Sequence, residues 1–262
     1  MLFRPKRPVD AEEWEWLLAG IKWLEREFPE LRDSRRLALP TSEFFPPVAS
    51  KGAARAEDIM AQVKTISGIA DWPVTLLPVQ PPRRGAVNAV AALQSGTGAC
   101  GSFRLQRTAD GLPFAEIRYT FDQLDNPSGL VATFAHEIAH YLLHMRSTPF
   151  PGGNEVEELF TDLTAVWLGF GIFLGNNARY SGHVDEGGGR GWFVSGWQGY
   201  LGERMLMTAL TLNELLAGRD PTAAGPYLKA YLESDVRAAH RYASRRNLRT
   251  EMEAIDLTDY GA

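Results

Sequence analysis

Apolar residues recur at helical spacing in the first part of the chain. From Asp10 to Phe28 they fall three or four positions apart, and Asp10 stands where an N-cap residue is favoured. The stretch 53–69 repeats this spacing, so two amphipathic helices are predicted. The pattern then shortens, and apolar runs separated by glycine and proline predict four strands, at 73–79, 86–93, 100–105 and 113–120.

Helical spacing returns in the second half. Asn126-Pro127 opens a long helix, because proline is favoured at the first helical position. Another long helix is predicted from Asn154 to about Gly175, followed by a glycine-dense loop from Ser181 to Gly191. Two more helices are expected at 198–217 and 223–244, followed by a loose tail. Helices, a small group of strands and further helices indicate an α+β fold.

The same order predicts three regions. A helical N-terminal extension is expected at 1–50, a core containing the small sheet at 51–180, and a helical and regulatory C-terminal region at 181–262.

The amino-acid composition excludes several classes of protein. The chain has 262 residues, of which 45% are hydrophobic and 23% charged, which excludes a fully disordered, collagen-like or coiled-coil protein. A net charge of -5 excludes a polycation that coats nucleic acid, and one cysteine excludes a disulfide framework. The first residues lack the apolar core of a signal peptide, and the longest apolar run, Leu163 to Gly175, is short for a bilayer. We therefore expect a cytoplasmic protein without a membrane partner.

A candidate metal motif lies at His136-Glu137-Ile138-Ala139-His140. Residues four apart share one face of a helix, so His136 and His140 can bind one metal ion from the same side. The pattern indicates a single Zn²⁺ per chain, with Glu137 as the general base that takes a proton from the attacking water.

A catalytic zinc site needs a third protein ligand, and the next predicted helix is rich in carboxylates. Glu158 and Asp162 are four residues apart and share a face. We predict Glu158 as the ligand, with Glu155 as the alternative. Asp162 is predicted to accept a hydrogen bond from the second ring nitrogen of a liganding histidine.

The two segments VATFAHEIAHYLLH and EELFTDLTAVWLGFGIF resemble the bacterial ImmA/IrrE-type metallopeptidases, a group of gluzincins, over roughly residues 53 to 175. The resemblance implies a zincin-like domain that cleaves a regulatory protein, often a helix-turn-helix repressor, in phage-defence or DNA-damage responses. The later segment GWQGYLGERMLMTALTLNELLAG is more similar to peptidases of CBASS anti-phage operons. Two other functions stay open: a zincin-fold module that senses a ligand without cleavage, and a metal-dependent hydrolase of a small molecule.

The lone cysteine, Cys100, lies among glycines. It is either a small buried apolar residue or a thiolate ligand of the zinc ion, since thiolate binds zinc well. The CBASS-type resemblance favours the second interpretation, in which Cys100 is an inhibitory cysteine switch that keeps the enzyme latent. Glycines at 96, 98 and 101 are expected to let this segment move.

Two weaker candidates remain. His183, in the glycine-rich segment with Tyr180 and Arg190, is a possible donor to the oxyanion of the transition state. Basic residues recur every four positions near the C-terminus and form either a solvated face or a contact for the phosphates of single-stranded DNA, the activating signal that the resemblance implies. These residues are Arg237, Arg241, Arg245 and Arg249.

Overall fold

A computed structural model describes residues 5–79, 101–185, 191–197 and 200–261. For residues 179–185 and 191–197 the description covers the main chain only. The strand predicted at 86–93 and the predicted ligand Cys100 lie outside the described residues.

Two of the predicted N-terminal helices form nearly as expected. Helix α1 spans Ala11–Glu27, and its capping box joins the Asp10 and Glu13 side chains to each other's main-chain N–H groups. The short helix α2 covers Pro29–Arg32, and α3 covers Ala53–Ile66. The apolar face of α1 is buried in the core, which explains why its helical periodicity is clear in the sequence.

A small mixed sheet follows. Strands β1 (Val74–Val79), β2 (Gly101–Arg107) and β3 (Pro113–Thr120) are arranged in the order β1-β3-β2. Strand β3 pairs in parallel with β1 and antiparallel with β2. Alternate residues of β3 are fully buried, as expected for a sheet with one face on the core: Ala115, Ile117 and Tyr119.

The central pair of helices carries the candidate chemistry. Helix α4 spans Pro127–His144, and the Asn126 side chain caps it by accepting from the Gly129 N–H group. A 3₁₀ turn at Gly153–Val156 leads into α5, Glu157–Ala165.

The single long helix predicted up to Gly175 is interrupted. A π-helical turn at Val166–Phe170 separates α5 from α6, Gly171–Asn177. Within it Gly169 has a φ of 108°, in the left-handed region that favours glycine. The main chain of residues 36–38 passes directly against this point: a Cβ atom at 169 would lie 2.1 Å from the Arg36 carbonyl oxygen. The bend makes room for that neighbouring segment.

The C-terminal region contains a hairpin that the sequence analysis missed. Strands β4 (Arg179–Asp185) and β5 (Gly191–Trp197) pair antiparallel, so the prediction of a loop from Ser181 to Gly191 is wrong at residues 181–185 and 191, which lie in strands. The β5 sequence GWFVSGW is rich in aromatic residues, which favour strands.

The remaining chain is helical with shifted boundaries. Helices α7 (Glu203–Leu216), α8 (Ala230–Ala243) and α9 (Leu248–Ala254) follow. The helix predicted from 223 starts late because Pro226 lies in a separate 3₁₀ segment, Pro221–Tyr227. The predicted loose tail is wrong, since α9 buries Leu248 and Met252.

Helices from all three predicted regions and the three-stranded sheet contribute to one hydrophobic core, and the α+β class is confirmed. The region boundaries at residues 50 and 180 stay a prediction. The helical stretch Gly153–Asn177 is long and apolar enough to cross a membrane, yet 89% of its apolar window is buried inside the protein. A core helix of a globular protein passes the same test, so this finding leaves the expected absence of a membrane partner a prediction.

Candidate metal centre

Helices α4 and α5 bring two imidazoles and one carboxylate to a single point. The ligand atoms of His136, His140 and Glu158 all lie within 4.8 Å of one another. One oxygen of Glu158 stands 3.2 Å from Nε2 of His136 and 3.3 Å from Nε2 of His140. This convergence arises because the two histidines are one helical turn apart on α4 and face the first turn of α5.

Asp162 holds His136 from behind. Its Oδ1 atom lies 2.8 Å from Nδ1 of the imidazole. Its Oδ2 atom accepts hydrogen bonds from the main-chain N–H groups of Tyr200, at 2.6 Å, and Leu201, at 2.8 Å. Since a carboxylate only accepts hydrogen bonds, Nδ1 keeps its proton toward Asp162, and Nε2, which donates to Glu158, is the nitrogen that can give up its proton to bind a cation.

Thr161 orients the His140 ring in the way that Asp162 orients the His136 ring. The Thr161 hydroxyl donates to the main-chain carbonyl of Glu157, at 2.8 Å, and its oxygen lies 3.3 Å from Nδ1 of His140. Because the hydroxyl proton is used on the carbonyl, the imidazole is the donor to Thr161. The Nε2 atom of His140 is therefore also free to bind a cation.

The electric field at this point favours positive charge. Burial lowers the pKa of His136, but hydrogen bonds to Asp162 and Glu158 outweigh it and raise the pKa to about 10. Burial raises the pKa of Glu158, but hydrogen bonds from His136 and His140 outweigh it and lower the pKa to about 2. A dication held by the same groups would be stabilised by the same carboxylates.

Glu137 faces a different neighbour. It is 4% exposed, and burial raises its pKa despite the nearby imidazoles. The start of β2 lies directly on it: a Cβ atom at Gly101 would stand 2.5 Å from its Oε1 atom. Gly101 pairs with Tyr119 in the sheet, so its role in the described structure is close packing rather than the freedom to move expected of it.

The donor set fits zinc. Two imidazole nitrogens and one carboxylate oxygen are the protein ligands of His₂Glu catalytic sites, which leave one position open. Asp162 and Thr161 hold the Nδ1 proton of each ring, so Nε2, which faces Glu158, is the nitrogen left to bind the metal. The alternative ligand, Glu155, is exposed on the 3₁₀ turn and does not belong to this group.

Two other predicted residues have incomplete descriptions. Strand β4 contains His183, whose main chain pairs with Phe193, and its side chain lies outside what the structure describes. Cys100 itself also lies outside the described residues, although its neighbour Gly101 packs on Glu137. The roles predicted for these two residues stay predictions.

The four arginines predicted to form one stripe lie on different elements. Arg237 and Arg241 belong to α8, Arg245 follows the end of that helix, and Arg249 belongs to α9. All four are exposed, but Arg237 is ion-paired with Glu233, and Arg249 with Glu25, at 2.7 Å. The helix boundary therefore breaks the regular stripe that a four-residue repeat predicts, and a contact with nucleic acid stays a prediction.

Aromatic rings at the centre had no signal in the sequence. The Tyr200 ring stacks on His136, with centroids 5.9 Å apart. The Phe103 ring of β2 stacks on His140 at the same centroid distance, 5.9 Å. Thr161 could have been found, since it lies three residues after Glu158 and beside Asp162 on the ligand helix.

Comparisons with known proteins add no assignment. No family model matches the chain, no curated protein matches it, and no solved structure matches it.

Proposed function

We propose that this chain is a zinc-dependent peptidase with a zincin-like core. The observation that carries the proposal is the convergence of His136, His140 and Glu158, with both imidazoles fixed in the tautomer that binds a metal ion. When bound, a zinc ion supplies Lewis-acid chemistry, polarising a carbonyl group and lowering the pKa of water.

Glu137 is the general base of this proposal. Its buried carboxyl group has a raised pKa, which makes the carboxylate a stronger base for a proton of the attacking water. The same group then returns the proton to the leaving amine. Burying such a carboxyl group costs folding free energy, so it is an unexpected feature in a module that only senses a ligand.

A hydrogen-bond donor is needed for the developing oxyanion. His183 stays the candidate from the sequence. Tyr200 is a second, because its ring stands against His136 and burial together with neighbouring carboxylates raises its pKa, so its hydroxyl group keeps the proton.

Latency is the second part of the proposal. Cys100 directly precedes Gly101 in the sequence, and Gly101 packs on the Glu137 carboxylate. A thiolate from this position is proposed to occupy the open position on zinc until a signal removes it. Single-stranded DNA is the proposed signal, and a helix-turn-helix repressor in the cytoplasm is the proposed substrate.

The first experiment measures metal and cleavage together. Purified protein should contain about one zinc ion per chain by elemental analysis. The protein is then co-expressed with a helix-turn-helix regulator encoded beside it, and fragments are read by mass spectrometry. We expect cleavage by Cys100→Ser without added DNA, and none by Cys100→Ser carrying Glu137→Gln, which should retain zinc.

Each outcome separates the alternatives. Absence of zinc after incubation with the metal would refute the mechanism. Zinc without cleavage of any protein, but with hydrolysis of a small ester or amide, would favour the small-molecule hydrolase. Equal silence of Cys100→Ser and wild type, with the thiol freely alkylated while zinc is bound, would refute the switch.

A further inference from the structure

A second set of metal-binding side chains lies beside the proposed centre. The ligand atoms of His140, His144 and Glu157 are all within 4.8 Å of one another. His144 lies one helical turn beyond His140 on α4, and Glu157 precedes Glu158 on α5. The same pair of helices therefore carries two adjacent triads that share His140.

The His144 ring is held in a metal-binding tautomer. Its Nδ1 atom lies 2.9 Å from the main-chain carbonyl oxygen of His140, and a carbonyl oxygen only accepts hydrogen bonds. The ring therefore donates from Nδ1 and carries its lone pair on Nε2. The Phe103 ring packs on this imidazole, with centroids 4.9 Å apart, and limits its movement on that side.

The second triad is more open to solvent than the first, so an ion bound there can exchange with solvent. His144 is exposed and Glu157 is half-buried, whereas Asp162 behind the first triad is almost fully buried. A second ion can reach these side chains from solvent. Water must complete its coordination, because His140 is shared with the first triad and only His144 and Glu157 belong to the second triad alone. Fewer fixed protein ligands predict weaker binding than at the first triad.

The shared ligand couples the two triads. In His140, Nε2 faces Glu158 and Nδ1 donates to Thr161, so both ring nitrogens are already engaged. A second ion can use His140 only by displacing one of these partners. Two dications placed this close also repel each other, so the two occupancies oppose one another.

We infer that His144 and Glu157, with His140 as a shared ligand, form a second and weaker zinc site whose occupation inhibits the first. This inference rests on the proposed function. Rising free zinc would withdraw His140 from the catalytic arrangement, so the peptidase is active within a window of zinc concentration.

Zinc titration of untagged, metal-stripped protein against a chromogenic chelator tests the inference. For wild type we expect two binding events, the second at least about tenfold weaker. His144→Ala and Glu157→Gln should each show one event, with the tight dissociation constant within threefold of wild type. His240→Ala, which removes a histidine from α8, should still show two events. Where Cys100→Ser cleaves its substrate, excess zinc should slow that variant and spare Cys100→Ser carrying His144→Ala.

The outcomes distinguish a failure of the second zinc site from a failure of the proposed function. A single tight event in wild type, with no second event at millimolar zinc, overturns the second site and leaves the proposed function standing. A second event that survives both His144→Ala and Glu157→Gln also overturns it. No tight event in any variant removes the proposed function and this inference together.

Discussion

Replacing Asp162 by asparagine should weaken zinc binding through the tautomer of His136. The Asp162 carboxylate accepts from three donors: the imidazole Nδ1, at 2.8 Å, and the N–H groups of Tyr200 and Leu201. An amide has one accepting oxygen and one donating nitrogen, so it cannot satisfy both sides. If the oxygen keeps the two main-chain donors, the amide nitrogen faces the imidazole and favours the tautomer with the proton on Nε2.

That tautomer has no lone pair toward the metal. Loss of such a supporting carboxylate costs about 10–100-fold in metal affinity, equivalent to about 1.4–2.7 kcal/mol. The two main-chain hydrogen bonds to Asp162 also lose their charged acceptor, which should lower the free energy of unfolding by about 1 kcal/mol for each bond.

The assay is competition for zinc with a chelator of known affinity, performed on folded Asp162→Asn and wild type. The ¹⁵N shifts of the His136 ring, measured on zinc-loaded samples, report which nitrogen binds the metal and which carries the proton. Glu155→Gln serves as the charge-matched control, because Glu155 is exposed and does not touch the triad. An unchanged zinc dissociation constant, with a native ring tautomer, would refute the reasoning.

Three further substitutions test the contacts around the ligands. Thr161→Val leaves Nδ1 of His140 without its acceptor and should weaken zinc binding about tenfold, whereas Thr164→Val, which removes an equivalent helix bond to Phe160, should leave the chelator titration unchanged. In the Cys100→Ser background, Gly101→Ala places a methyl group against Glu137 and should lower the cleavage rate about 100-fold with zinc content preserved; an unchanged rate would show that this contact does not position the base. Gly169→Ala should lower the free energy of unfolding in urea by at least about 2 kcal/mol, compared with almost no change for Gly202→Ala, where a Cβ atom meets nothing within 4 Å.

Most local features could be predicted because their cause is local. The capping residue Asp10 and the proline after Asn126 mark helix starts within a few residues of chain. The alternation along 113–120 reproduces β3 because one face of that strand packs on the core. The convergence of His136, His140 and Glu158 follows from spacing on α4 and the choice of the next acidic helix.

What could not be predicted depends on distant segments. The bend at Gly169 is required by the main chain near Arg36, more than a hundred residues earlier, and no local pattern reports that contact. The main-chain donors that hold Asp162 come from residues 200 and 201, beyond an unforeseen hairpin. Glycines in the β4–β5 sequence favoured a loop in the sequence analysis, whereas pairing between the two strands decided the outcome.

The helix that carries Glu158 packs on α4 and is also supported by parts of the chain outside the resemblance. Trp23 of α1 packs edge-on against Phe160, with centroids 5.4 Å apart. At the end of the same helix the buried guanidinium of Arg35 donates to the Trp167 carbonyl oxygen, at 3.1 Å, and lies 4.0 Å from the Trp167 ring centroid. Burial lowers the pKa of Arg35 to about 10, because the charged guanidinium loses its contact with water. This buried charge lies where α5 turns into α6. Because metal ligands must be held to within a fraction of an ångström, the residues that fix the angle between α4 and α5 are as much a part of the centre as the ligands themselves.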